Sequence, residues 1–110
     1  MLNDLIAKLE AATQGSRALD VRVALTTGWR RIRITAPHFT TSIDAASLLV
    51  PEGSFIDIST AGRGGFCAVC ILPGVEPEPG PLSYLYAKTM PLALAAAALR
   101  ARATKEANDG

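Results

Sequence analysis

The sequence has few of the residues from which most active sites are built. Its 110 residues include one histidine and two cysteines, so a zinc site would have to draw further ligands from carboxylates. Charge of one sign is also lacking, since 11 basic residues stand against 10 acidic ones, and whole-molecule electrostatics predict no polyanionic partner. The longest apolar run, residues 90–99, has about half the length of a membrane crossing. With no signal-peptide pattern at its start, the chain is predicted to be a soluble cytoplasmic protein with one domain, residues 1–110.

Residues 54–72 predict a β-hairpin at the centre of the fold. In its first strand Ile56 and Ile58 share one face, while Phe55 shares the other with an aspartate, so one face is at least partly solvated. Residues 66–72 are apolar on both faces, which is typical of a strand covered on both sides. The Gly-Arg-Gly-Gly segment between the two runs leads into a strand and not a helix, which favours a hairpin turn over a phosphate-binding loop.

The segments around the hairpin predict mainly helices. Ser16 is placed to cap a helix that Gly28 ends, and Thr41 with Asp44 fits an acidic capping box for a short helix. The other predicted elements are a helix over residues 1–12, a strand over 29–35, a mobile proline-rich loop over 73–82, a short edge strand over 83–87 and a last helix opened by Thr89 and Pro91.

These elements combine into an α/β fold. The strand over residues 66–72 needs cover on both faces, and helices are the main elements available to cover it. We therefore predict a small three- to four-stranded sheet with helices on both faces, an α/β/α sandwich.

Five segments carry a resemblance to a known family. They are Leu19-Asp20, Gly28-Trp29, TTSIDAA at residues 40–46, VPEG at residues 50–53 and PLALAAAALRARA at residues 91–103. Taken in order over nearly the whole chain, they resemble the phage ABA sandwich domain, a family of small phage and prophage proteins. The resemblance implies an α/β/α sandwich from a phage or prophage setting, with no settled biochemical activity. Members often have a longer aromatic and proline-bearing insert after the Gly-Trp pair, which this sequence lacks.

Cys67 and Cys70 have the spacing of a redox motif or a zinc knuckle. In a strand, residues three apart point to opposite faces with Cα atoms about 10 Å apart, beyond the reach of a disulfide. A redox motif would also need its first cysteine at a helix N-terminus, and a zinc site would need two more ligands. Buried, reduced thiols are the favoured interpretation, and the sequence predicts no metal and no cofactor.

His38 is the one candidate for acid–base chemistry. It could act as a general base oriented by Asp44, but no recognisable motif supplies a serine or cysteine nucleophile. A lone histidine in a loop is usually solvated, so we predict no catalytic residue. Asp20 and Asp57 are interpreted as a charge in the first turns of a helix and a solvent-facing strand residue.

Two groups of residues are candidates for binding a macromolecule. Aromatic side chains beside a mobile loop favour a protein contact surface, formed by Tyr84, Tyr86 and Met90. A basic strand with one aromatic residue favours single-stranded nucleic acid instead, and its members are Trp29, Arg30, Arg31, Arg33 and Arg63. The alternative for this basic group is an edge strand protected by charge, with its tryptophan in the core.

Three functional hypotheses follow. The favoured one is a non-catalytic interaction protein of phage type that inhibits a host or competing-phage factor. The second is a nucleic-acid accessory protein that uses the strand over residues 29–33, and the third is an enzyme of unfamiliar type that uses His38. The oligomeric state is left open between a monomer and a homodimer formed through residues 84–90 or an open sheet edge.

Overall fold

A computed structural model of the chain describes residues 2–28, 36–60, 64–71 and 85–109. Within these ranges it contains four helices and a three-stranded antiparallel sheet, which confirms the predicted α/β fold class. In chain order the elements are α1 (Leu2–Ala11), α2 (Arg17–Thr27), α3 (Ile43–Ser47), β1 (Phe55–Thr60), β2 (Phe66–Ile71), β3 (Leu85–Ala87) and α4 (Met90–Asp109).

Helix α2 begins and ends, and helix α4 begins, at the residues that the local signals predict. The Ser16 hydroxyl accepts a hydrogen bond from the third residue of α2, and Gly28 ends that helix in the left-handed conformation, with φ of 76°. Glycine reaches this conformation without the steric cost that a Cβ atom adds. Thr89 caps α4 by accepting from the N–H of Leu92, and Pro91 lies in the first turn, where its missing N–H costs nothing.

The predicted capping box of α3 is wrong by one residue. Ser42, and not Thr41, is the N-cap, and its hydroxyl accepts from the N–H of Ala45. The reason is a turn before the helix, in which the N–H groups of Thr41 and Ser42 both donate to the carbonyl of His38. The sequence pattern predicts a two-turn helix through Leu49 and Val50, but α3 is shorter and ends at Ser47.

The sheet has the order β1-β2-β3, and both pairs of neighbouring strands are antiparallel. Strands β1 and β2 form the predicted hairpin, in a continuous register from Phe55 opposite Ile71 to Thr60 opposite Phe66. Ala68 at the centre of β2 stands opposite Ile58 on one side and Leu85 on the other. We call the face that carries these three residues the inner face, because all of them pack into the hydrophobic core.

Helix α4 forms the centre of that core. Every residue from Leu92 to Leu99 is buried, which is the pattern of a helix with neighbours on all sides. Its contacts are with all three strands of the sheet, most extensively with β2, and with α1 and α3. The run of alanines in this stretch allows close approach to these neighbours, as the sequence predicts. Beyond this buried stretch, Arg102 Nε donates a hydrogen bond to the carbonyl of Leu49 at 2.6 Å and so links α4 to the turn after α3.

Several predicted elements lie outside the described residues. They include the strand over 29–35, the tip of the hairpin at 61–63 and the proline-rich loop over 73–82. In the part of the chain that the structure describes, no helix combines the length and the hydrophobicity required to span a bilayer.

Candidate functional site

Two regions of the molecule stand out, and the first is a partly buried polar cluster at the start of α2. We call it the polar junction, and its members are Ser16, Arg17, Asp20, His38 and Thr40. Asp20 and Thr40 are the buried polar residues of the described ranges, and Asp20 is fully buried at 0% exposure. A charged group in such a place is costly unless its oxygen atoms are hydrogen-bonded.

The carboxylate of Asp20 obtains those bonds from the segment that precedes α3. Its Oδ1 accepts from the backbone N–H of Thr40 at 2.8 Å and from the Thr40 hydroxyl at 2.7 Å. The hydroxyl also lies 3.0 Å from the Ser16 carbonyl oxygen, but its single proton goes to one acceptor at a time, and the carboxylate is the closer. The same hydroxyl oxygen accepts from the N–H of Ser16 at 2.9 Å. Residues 38–42 are thereby held against the start of α2.

The second oxygen of Asp20 faces two basic side chains near the surface. Oδ2 lies 3.0 Å from Nη1 of Arg17, whose side chain is 48% exposed, and 3.9 Å from Nδ1 of His38, whose side chain is 63% exposed. The first distance is a charge-assisted hydrogen bond, and the second is too long for one. The carboxylate beside the imidazole belongs to Asp20, whereas the acid–base alternative considered from the sequence named Asp44. His38 itself is a largely solvated loop residue, as the sequence predicts.

Gly15 explains how the two segments approach each other so closely. A Cβ atom at this position would overlap the backbone carbonyl of Thr40 and crowd the side chain of Thr41. Only glycine avoids that overlap without a shift of the backbone. The polar junction thus combines close backbone contact at Gly15 with hydrogen bonds that satisfy the buried polar groups of Asp20 and Thr40. Such an arrangement is typical of a contact that stabilises the fold.

The second region is the face of the sheet opposite the core, which we call the outer face. Residues directly opposite each other in neighbouring strands point to the same face. Phe55 stands opposite Ile71, Asp57 opposite Val69, and Cys67 lies between Ser59 of β1 and Tyr86 of β3. The outer face therefore brings apolar and aromatic side chains from all three strands together.

Phe55, the first residue of β1, is an exposed aromatic residue of the outer face. It is 75% exposed, the largest value among the exposed large hydrophobic residues of the described ranges. Single exposed apolar residues are common on protein surfaces, and Leu25 on α2, at 60%, is one of them. Phe55 differs because Ile71, directly across from it on β2, is itself only half-buried.

Of the residues predicted to contact a protein partner, the structure describes two. Tyr86 lies on the outer face and is half-buried. Its ring covers Gly65, where a Cβ atom would come within 2.6 Å of the ring carbon Cζ. Met90 is the half-buried first residue of α4. Tyr84 lies outside the described residues, as do the predicted nucleic-acid-binding residues Trp29, Arg30, Arg31, Arg33 and Arg63.

Both cysteines are free thiols, as predicted, but they are half-buried and not fully buried. Burial raises the pKa of the Cys70 thiol, because a thiolate loses hydration in apolar surroundings. The hydroxyl of Ser54 lies close enough to oppose this rise, although the pair falls short of hydrogen-bond geometry and Ser54 Oγ finds no hydrogen-bond partner among the described residues. A raised pKa makes Cys70 a poor nucleophile at neutral pH.

The described side chains contain no group of three histidine, cysteine or acidic residues that could hold a metal ion. No family model, curated protein or solved structure matches this chain. The resemblance to the phage ABA sandwich domain therefore stays a prediction.

Sequence reasoning missed the two residues around which these regions are built. The sequence predicts an ordinary charge near a helix start for Asp20, because its one local signal, a position one turn after the Ser16 cap, is shared by many exposed carboxylates. Phe55 was correctly placed with Asp57 on the partly solvated face of its strand. A large aromatic residue on such a face is itself a signal for a binding surface.

Proposed function

We propose that this protein is a non-catalytic protein-interaction module whose partner binds the outer face of the sheet. The observation that carries the proposal is the exposure of Phe55 beside Ile71, on the face that also carries Tyr86. Covering a phenylalanine side chain contributes about 1.5–3 kcal/mol to association, and large aromatic residues are frequent among the side chains that dominate interface energetics.

The positions of these side chains also favour binding. The backbone of Phe55 is held by a regular strand pair, and the ring of Tyr86 is packed against Gly65. A side chain that is already held in place loses less conformational entropy when a partner covers it. The outer face thus offers a backbone fixed by strand pairing and one ring, that of Tyr86, which is already held in place.

The finer part of the proposal concerns the partner. If the resemblance to phage sandwich proteins holds, the partner is a host or competing-phage factor that the protein inhibits, and binding takes place in the bacterial cytoplasm. That part depends on the resemblance alone. The nucleic-acid hypothesis stays a prediction, since its residues lie outside the described ranges.

The test compares two matched variants, Phe55→Lys and Leu25→Lys. Both replace an exposed apolar side chain with lysine, but only the first changes the outer face. Each tagged protein is used to capture partners from bacterial lysate, in nuclease-treated and untreated halves. We expect a stoichiometric protein that survives nuclease, is captured by the wild type and by Leu25→Lys, and is lost with Phe55→Lys.

The affinity of the purified partner gives the quantitative readout. A change of at least tenfold in Kd for Phe55→Lys, which equals about 1.4 kcal/mol, with no change for Leu25→Lys, would support the proposal. Equal Kd values for the two variants would overturn the proposal that the partner binds the outer face. Capture that requires intact nucleic acid would favour the basic strand over residues 29–33 instead.

A further inference from the structure

We draw no further inference here: the strongest candidate, the start of helix α2 with the exposed Arg17 and His38 beside it, carries nothing further because both side chains already face the buried Asp20 carboxylate and no second feature of the described residues points to a ligand.

Discussion

The polar junction and the outer face depart from the usual distribution of side chains in opposite directions. One buries a carboxylate, Asp20, and the other exposes an aromatic ring, Phe55. Hydrogen bonds from Thr40 and Arg17 account for the buried charge within the molecule, whereas we ascribe the exposed ring to a partner outside it. The comparison separates a region with internal hydrogen bonds from one that we propose for recognition, and each prediction below tests one side of it.

The largest effect is expected for Asp20→Ala. The free energy of unfolding should fall by about 3–5 kcal/mol, because the Thr40 N–H loses its acceptor in a buried place and Arg17 loses its ion-pair partner. Urea denaturation followed by circular dichroism measures this. Asp44→Ala is the matched control, since Asp44 is an exposed carboxylate in the first turn of α3, and it should cost less than about 1 kcal/mol. Similar costs for the two variants would show that the polar junction contributes little to stability.

Gly15→Ala tests the close approach of the two backbones. The added methyl group overlaps the carbonyl of Thr40, so one segment has to move, and we expect a loss of about 2 kcal/mol. Gln14→Ala, at the exposed neighbouring position, should change stability by no more than about 0.5 kcal/mol. Thermal and urea denaturation of both variants check this, and an unchanged Gly15→Ala protein would mean that the approach is looser than described.

Thr40→Val removes one hydroxyl from the polar junction and keeps the shape of the side chain. Asp20 then loses one of its hydrogen bonds and the N–H of Ser16 loses its acceptor, at a cost of about 1–2 kcal/mol. Thr41→Val, at an exposed position, is the control. In a double-mutant cycle with Asp20→Ala the two losses should not add, because both variants remove the hydrogen bond between the Thr40 hydroxyl and Asp20. Strictly additive losses in the free energy of unfolding would show that Asp20 and Thr40 contribute to stability independently.

Phe55→Lys should change the free energy of unfolding by less than about 1 kcal/mol, the range of a single cross-strand pair. Leu85→Ala, on the inner face of the same sheet, should cost about 2–5 kcal/mol because Leu85 packs into the core. Urea denaturation measures the change in the free energy of unfolding for each variant. If Phe55→Lys were as damaging as Leu85→Ala, the ring would be a structural element and the binding proposal would lose its support.

The smallest effect is expected for the pH dependence of Cys70. Burial raises the pKa of its thiol above the ordinary value of 9.0, so as pH rises through 9.0 the unfolded chain loses the proton first and the free energy of unfolding decreases. In a Cys67→Ser variant at pH 9.0, the remaining thiol should react more slowly with a thiol reagent when the protein is folded than when it is unfolded in urea. Equal rates would contradict the raised pKa.

Local patterns were enough to predict most of the elements but not the regions that they form. The hairpin and the pairing of faces within β1 followed from the alternation of residues 55–58, and these are confirmed. The apolar run after it predicted cover on both faces, which holds for Ala68 and Val69 at the centre of β2, while the other residues of that strand are half-buried. The ends of α2 followed from Ser16 and Gly28. The capping box of α3 failed because a turn that begins at His38 shifts the start of the helix by one residue, which the Ser/Thr pattern alone does not reveal.

By itself, the sequence determined where the chain bends and which side chains share a face, since these depend on neighbours a few residues apart. Only the tertiary structure decided that Asp20 meets Thr40, 20 residues along the chain, and that Phe55, Ile71 and Tyr86 come to one face from three strands. Contacts of this kind depend on the path of the whole chain around α4. Asp20, which has the sequence position of many exposed carboxylates near a helix start, thus forms a buried structural contact. Phe55, an ordinary strand residue by its sequence, becomes the candidate for recognition.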